Sequence, residues 1–204
     1  MSKFPATAIK TTEASYSTQG GPSGLSSISV GLATFEFDAE IHDTALRCDQ
    51  IDLDLTDLSA LSGKSFTFPV NPEPGYIDGS IYLFGVHVFF LTQRLSFGSA
   101  GDETISLRIE GILEFSSSGL VQYEDVLLSF DTVLFFPLRH DQLVSMAQAA
   151  IQRAEAQSQR DIGKVMALLA KNSRAKDRLA ELNAEVRRVL RERDASIEIE
   201  QGPF

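Results

Sequence analysis

A single cysteine, Cys48, is the only thiol in the 204 residues. That excludes an internal disulfide framework and any cysteine-based zinc cluster within one chain. In a β-rich segment a lone cysteine is expected to be a small packed side chain; a thiol nucleophile near His42 or Asp49 is the alternative. Long apolar runs are also missing. The longest, "IYLFGVHVFFL" (Ile81 to Leu91), is too short to cross a bilayer as a helix, and "MSKFPATAIKTTEAS" lacks the apolar centre of a secretory leader. A cytoplasmic protein without membrane contact is the resulting expectation.

Catalytic signatures are scarce as well. There is no P-loop and no G-x-G-x-x-G, and "GPSG" is one residue short of G-x-S-x-G. His42, His87 and His140 do not form the His-x-His spacing of metal-binding jelly rolls. His42 falls in an outward-facing set, and His87 lies in an apolar strand where a satisfied core or edge histidine is the ordinary case.

Charge, by contrast, is abundant and uneven. Residues 1–137 carry 6 Lys/Arg against 18 Asp/Glu, and residues 138–195 carry 12 against 8, so a body of net charge −12 precedes an arm of +4. Glu198 and Glu200 complete the total of −10. An acidic body with a basic arm points to attraction between them, within or between chains, or to a basic protein partner.

Residues 1–26, rich in Ser, Thr, Gly and Pro, carry few large apolar groups to offset the entropy of ordering, and are expected to form a flexible arm. From Ser27 the period is two. In "ATFEFDAEIHD" the set Phe35, Phe37, Ala39, Ile41 alternates with Glu36, Asp38, Glu40, His42. In "TISLRIEGILEF", Ile105, Leu107, Ile109, Leu113 and Phe115 alternate with Ser106, Arg108, Glu110 and Glu114, and Gly111 falls on the inner set as a bulge or a close approach. "PVNPEPGYIDGS" reads as a loop with a tight turn at Asp78-Gly79, and "FGSAGDE" and "FSSSG" as hairpin connections. With no helical period in 27–137, these strands imply an antiparallel β-sandwich or jelly roll.

Proline is then absent from Asp141 to Asp194 and helix formers dominate. Leu143, Ala147, Ile151, Ile162, Val165, Leu169, Leu179, Leu182, Val186 and Leu190 recur at helical spacing, with breaks between Ile151 and Ile162 and around residues 171–177. The arm either folds back as a helical hairpin or meets a partner helix, because an uncovered stripe would leave apolar surface in water. In the tail, 196–204, the alternation of Ile197 and Ile199 with Glu198 and Glu200 suggests a short added strand.

Two acidic motifs have bland alternatives. Asp52-Leu53-Asp54-Leu55-Thr56 spells D-x-D-x-T, the nucleophile motif of haloacid-dehalogenase-like phosphotransferases. That chemistry needs an apolar parallel strand before the first Asp and a later paired acidic motif for Mg²⁺; "RCDQI" is polar and no Asp-Asp occurs. Read as a strand, Ile51, Leu53 and Leu55 point inward while Asp52, Asp54 and Thr56 face water. An EF-hand starting at Asp52 fails too, since position 6 is Asp57 and position 12 is Gly63. The bases of "KNSRAKDR" and "VRRVLRER" are interleaved with acids three or four residues away, which favours a solvated helical face over nucleic-acid binding.

The sequence therefore predicts an α+β protein: an N-terminal arm (1–26), a jelly-roll-like antiparallel β-sandwich (27–137), a helical arm or hairpin (138–195) and a tail (196–204). The expected function is non-enzymatic protein interaction and assembly, with no catalytic residue, cofactor or metal. Self-association is placed on Ile162, Val165, Leu169, Leu179, Leu182, Val186 and Leu190, and a recognition face for a basic protein partner on Glu36, Asp38, Glu40, Asp52 and Asp54. The alternatives are a sandwich binding a small ligand or carbohydrate through Tyr76, Tyr82 and Phe84 within an aromatic region that includes Phe89 and Phe90, and a metal-dependent enzyme using loop carboxylates.

Overall fold

The computed structural model of the chain describes residues 3–19, 23–136, 140–156, 162–171 and 178–200, the last with side chains through residue 192. They divide into two compact units, Met1–Phe136 and Pro137–Phe204.

The first unit is antiparallel β structure. One path of hydrogen-bonded neighbours runs β1 (Thr11–Ser17), β2 (Ser26–Leu32), β5 (Ala45–Ile51), β7 (Asp78–Leu83), β8 (Val86–Ala100), β9 (Thr104–Glu114) and β10 (Val126–Phe135). A short β6 (Ser65–Thr67) pairs with β8, and β3 (Phe35–Phe37) pairs with β4 (Glu40–His42) as a separate two-stranded ribbon. The ends of the path meet: β1 lies beside β10, and Thr11 Oγ1 donates to the Asp131 carbonyl at 2.6 Å. The expected sandwich of two facing sheets is thus one nearly closed sheet. Irregular register in the long β8–β9 pair, at Thr92/Arg94 and Phe97/Ala100, is the kind of bulge that bends and twists a sheet.

The arm expected to be flexible supplies β1 and buries Phe4. Its backbone groups are satisfied by pairing with β2 from Thr11↔Leu32 to Ser17↔Ser27, so a polar segment is ordered by its neighbour and not by its own apolar content.

Two tight turns reset the strand phases. Asp38 (φ 53°) and Ala39 (φ 64°) connect β3 to β4, and Phe84 (φ 50°) with Gly85 (φ 80°) connect β7 to β8. Both are two-residue hairpins with positive φ at both central positions, which matches strand twist. The first corrects the reading of "ATFEFDAEIHD" as one strand: pairing Phe35 with His42 puts His42 on the buried side and turns Ile41 out, 77% exposed. Ala39 carries a Cβ in the left-handed region, at a cost of about 1–2 kcal/mol. Ala39→Gly is accordingly expected to stabilise the β unit by about 1 kcal/mol, read as a raised urea midpoint at unchanged slope. Asp78-Gly79 is no turn but lies within β7, where a Cβ on Gly79 would come within 2.2 Å of the Phe90 carbonyl oxygen.

The alternation read in β9 is observed, with Ile105, Leu107, Ile109, Leu113 and Phe115 all in the core. "QIDLDLTDLS" leaves the sheet after Ile51. Residues 52–57 form a loop that keeps Ile51 and Leu55 buried, and Asp57 caps a 3-10 turn, Leu58–Leu61, by accepting from the N–H groups of Ser59 and Ala60.

In the second unit α1 (His140–Ala156), α2 (Ile162–Leu169) and α3 (Leu179–Glu200) pack on one another around Leu143, Ala147, Ile151, Val165, Leu182 and Val186. The arm thus folds back within the chain. The short strand expected in the tail is replaced over residues 196–200 by α3, whose preceding Ala, Glu, Leu and Arg carry helical propensity through the two-residue alternation; residues 201–204 lie outside the described ones. Among the described residues no helix is long and apolar enough to cross a membrane.

Candidate interaction surface

In an antiparallel pair, residues directly opposite each other project to the same face. On β8, Val88, Phe90 and Thr92 are buried, so His87, Phe89 and Leu91 project outward. Leu91 pairs with Ile112 on β9, and Ile112 pairs with Leu127 on β10. Phe89 pairs with Glu114 on one side and Ser80 on the other, while Tyr82 pairs with His87. The outer face of β7 to β10 therefore holds a contiguous strip: Tyr82, Phe89, Leu91, Ile112 and Leu127. Leu127 is 72% exposed and Tyr82 51%; Leu91 and Ile112 are half-buried.

The strip is held from beneath and at its end. Phe90 is fully buried on the opposite side of β8, and the loop after β9 is tied to it by Ser118, whose hydroxyl accepts from Phe89 N–H at 3.0 Å and donates to the Glu114 carbonyl at 2.8 Å. Further along the same face the side chains become charged and paired. Arg94 meets Glu110 at 3.7 Å, and Arg108 grips Asp131 through two bonds of 2.7 and 2.8 Å. The Arg108 guanidinium accordingly holds the Asp131 carboxyl below the usual carboxylate range.

Tyr82 and Phe89 stood out in the sequence as aromatics, but the row Leu91, Ile112 and Leu127 did not, although one signal was present. Ile112 stands on the polar phase of β9, in line with Arg108, Glu110 and Glu114, where an apolar residue breaks the pattern.

The acidic candidates do not form one sheet face. Glu36, Asp38 and Glu40 are exposed on the β3–β4 ribbon, whereas Asp52 and Asp54 lie in the loop after β5. Asp54 is engaged locally: its Oδ1 accepts from the Thr56 hydroxyl at 2.5 Å and the Thr56 N–H at 2.9 Å, which lowers its pKa. Asp38 accepts from the Tyr123 hydroxyl at 2.5 Å, and this bond raises the phenol pKa.

The ligand aromatics also separate. Tyr82 belongs to the outer strip, Tyr76 is half-buried in the loop before β7, and Phe84 joins an inner cluster. There Phe84 stacks on Tyr123 with centroids 5.4 Å apart and meets His42 edge-on at 4.8 Å. Phe4, Phe37 and Phe115 complete this cluster. His42, expected outside, is 7% exposed, and its Nε2 has no hydrogen-bond partner. His87 is the exposed histidine, its Nδ1 3.3 Å from the Ser80 hydroxyl.

Of the helical seam, Val165, Leu169, Leu182 and Val186 are buried in the chain's own three-helix packing; Ile162, Leu179 and Leu190 are half-buried at its margin. Glu185 is 7% exposed and accepts from Arg188 Nε at 3.0 and 3.1 Å.

Among the described residues no three His, Cys, Asp or Glu side chains gather closely enough to hold a metal ion. Cys48 is fully buried, 3.6 Å from Thr92 Oγ1, and burial pushes its thiol up to about 12. It is expected to resist alkylation in the folded chain and to react on unfolding, followed by mass spectrometry. Because the folded pKa is raised, the associated stability is present below the unfolded thiol pKa and is lost as pH rises from about 9 toward 12.

Comparison of the chain with protein-family models, with curated proteins and with solved structures gives no match.

Proposed function

We propose that the protein is a non-enzymatic interaction and assembly protein whose acidic β unit binds another protein through the outer face of β7 to β10. One observation carries this reading: Leu91, Ile112 and Leu127 stand in register on three adjacent strands, facing away from the core, with Phe89 and Tyr82 beside them. Single exposed apolar residues are ordinary, but a contiguous set on one sheet face is surface that a partner would remove from water. The ion pairs along the same face supply the polar rim that an interface of this kind carries. The assembly contact thereby moves from the helices to the sheet, since the central seam residues are already covered within the chain.

The test compares the native chain with Phe89→Ser, Leu127→Ser after checking that both melt alike. Each is used as bait, and any retained protein is purified and rebound to the purified chain. A partner bound by the native chain and lost with the altered one supports the reading; partners bound equally by both remove it.

A further inference from the structure

Charge decides which protein the strip receives. Three arginines on the outer face, Arg47, Arg94 and Arg108, are each matched by a carboxylate: Asp49 at 3.5 Å, Glu110 at 3.7 Å and Asp131 at 2.7 Å. Glu114 stands on the same face, directly opposite Phe89 and two residues from Ile112, and among the described residues no cation pairs with it. The strip thus lies in the negative field of a segment of net charge −12, with one carboxylate among its apolar side chains. That field repels the β unit of a second copy, a phosphate backbone and an anionic lipid surface, and attracts a cationic partner. Shape adds a second constraint. From β7 to β10 the strip crosses three interstrand spacings, roughly 14 Å, which an α-helix covers in about nine or ten residues. A helix laid on a sheet face is the ordinary way such a face is covered.

Resting on the interaction reading above, we propose that the strip docks an amphipathic helix of about three turns whose apolar stripe is flanked by Lys or Arg, with Glu114 receiving one of those cations. The apolar contacts hold the helix, and the acidic surroundings select its charge and speed its arrival.

Two synthetic helical peptides test this, sharing one apolar stripe at i, i+3, i+4 and i+7 and carrying Lys or Glu on its flanks; binding to the full chain is measured by calorimetry. The Lys peptide is expected to bind about tenfold or more tightly than the Glu peptide, and to weaken about tenfold between about 0.05 and 0.5 M salt. Phe89→Ser with Leu127→Ser should abolish binding, and Glu114→Gln should weaken it several-fold at unchanged melting temperature. Equal binding of both peptides, or of neither, overturns the basic-helix proposal. Equal binding of the Lys peptide to the native and altered strips does so as well, since attraction would then be to acidic surface at large. If neither peptide binds but the native chain sediments as a dimer that the strip substitutions dissociate, the occupant is a second copy: the proposal falls and the interaction reading survives. Strip substitutions without effect on the peptides, on sedimentation and on protein capture remove both.

Discussion

Phe115→Ala is expected to cost the β unit about 3–5 kcal/mol, the range for truncating a buried phenylalanine. The ring is fully buried, with centroids 5.5 Å from Phe4, 6.1 Å from Phe37 and 5.4 Å from Tyr123. It therefore joins four stretches distant in sequence: the N-terminal segment, the β3–β4 ribbon, the end of β9 and the loop before β10. Neighbours anchored on three other segments cannot all collapse into the vacated space, so the loss belongs at the upper end of that range. Against a total of about 5–15 kcal/mol for a domain, this is a large fraction of its stability. Urea unfolding should show a lower midpoint, and hydrogen exchange should rise first in residues 35–42 and 116–125. A change within about 0.5 kcal/mol, typical of a surface site, would mean that the cluster is not part of the core.

Gly111→Ala should cost about 3 kcal/mol, at the top of the usual range for overpacking. A Cβ there would stand 2.4 Å from the Leu91 carbonyl oxygen and 2.8 and 2.9 Å from the Phe90 ring carbons Cζ and Cε1. The ring can shift a little, but the carbonyl belongs to the β8–β9 ladder and cannot move without breaking it. The entropy that alanine removes from the unfolded chain, about 0.4–1 kcal/mol, is too small to compensate. Gly79 confines Phe90 further, since a Cβ there would meet the Phe90 carbonyl oxygen at 2.2 Å. A double-mutant cycle with Phe90→Leu separates the two clashes: partial recovery isolates the ring contribution, and the remainder belongs to the backbone. Because Phe90 lies beneath the strip, Gly111→Ala should also weaken binding at that face, whereas an unchanged melting temperature would contradict the close approach itself.

The same residues show where reading the sequence succeeds and where it stops. The inner set of β9 was evident from an alternation that only Ile112 interrupts, and Gly111 stood out as the small residue on an otherwise bulky phase. The helical spacing of Leu143, Ala147 and Ile151 identified the buried stripe of α1 for a similar reason. His42 and Ile41 were assigned to the wrong sides because Asp38-Ala39 contains no glycine to announce a two-residue turn. The turn at Phe84-Gly85 was concealed within an apolar run. In "QIDLDLTDLS" the alternation of exposed and buried residues persists through a loop, so Asp52 and Asp54 carried a strand's pattern without a strand's pairing.

By itself, the sequence determined the antiparallel β character of the first unit, the helical character of the second and the charge separation between residues 1–137 and 138–195. Those properties depend on composition and on neighbours within a few residues of each other. Only the tertiary structure decided that the sheet nearly closes, that a polar N-terminal segment becomes its first strand, that the helical seam is covered within the chain, and that Leu91, Ile112 and Leu127 share one outer row. Each depends on which distant backbone groups pair and in what register, and a one-residue slip would send the whole row to the other face.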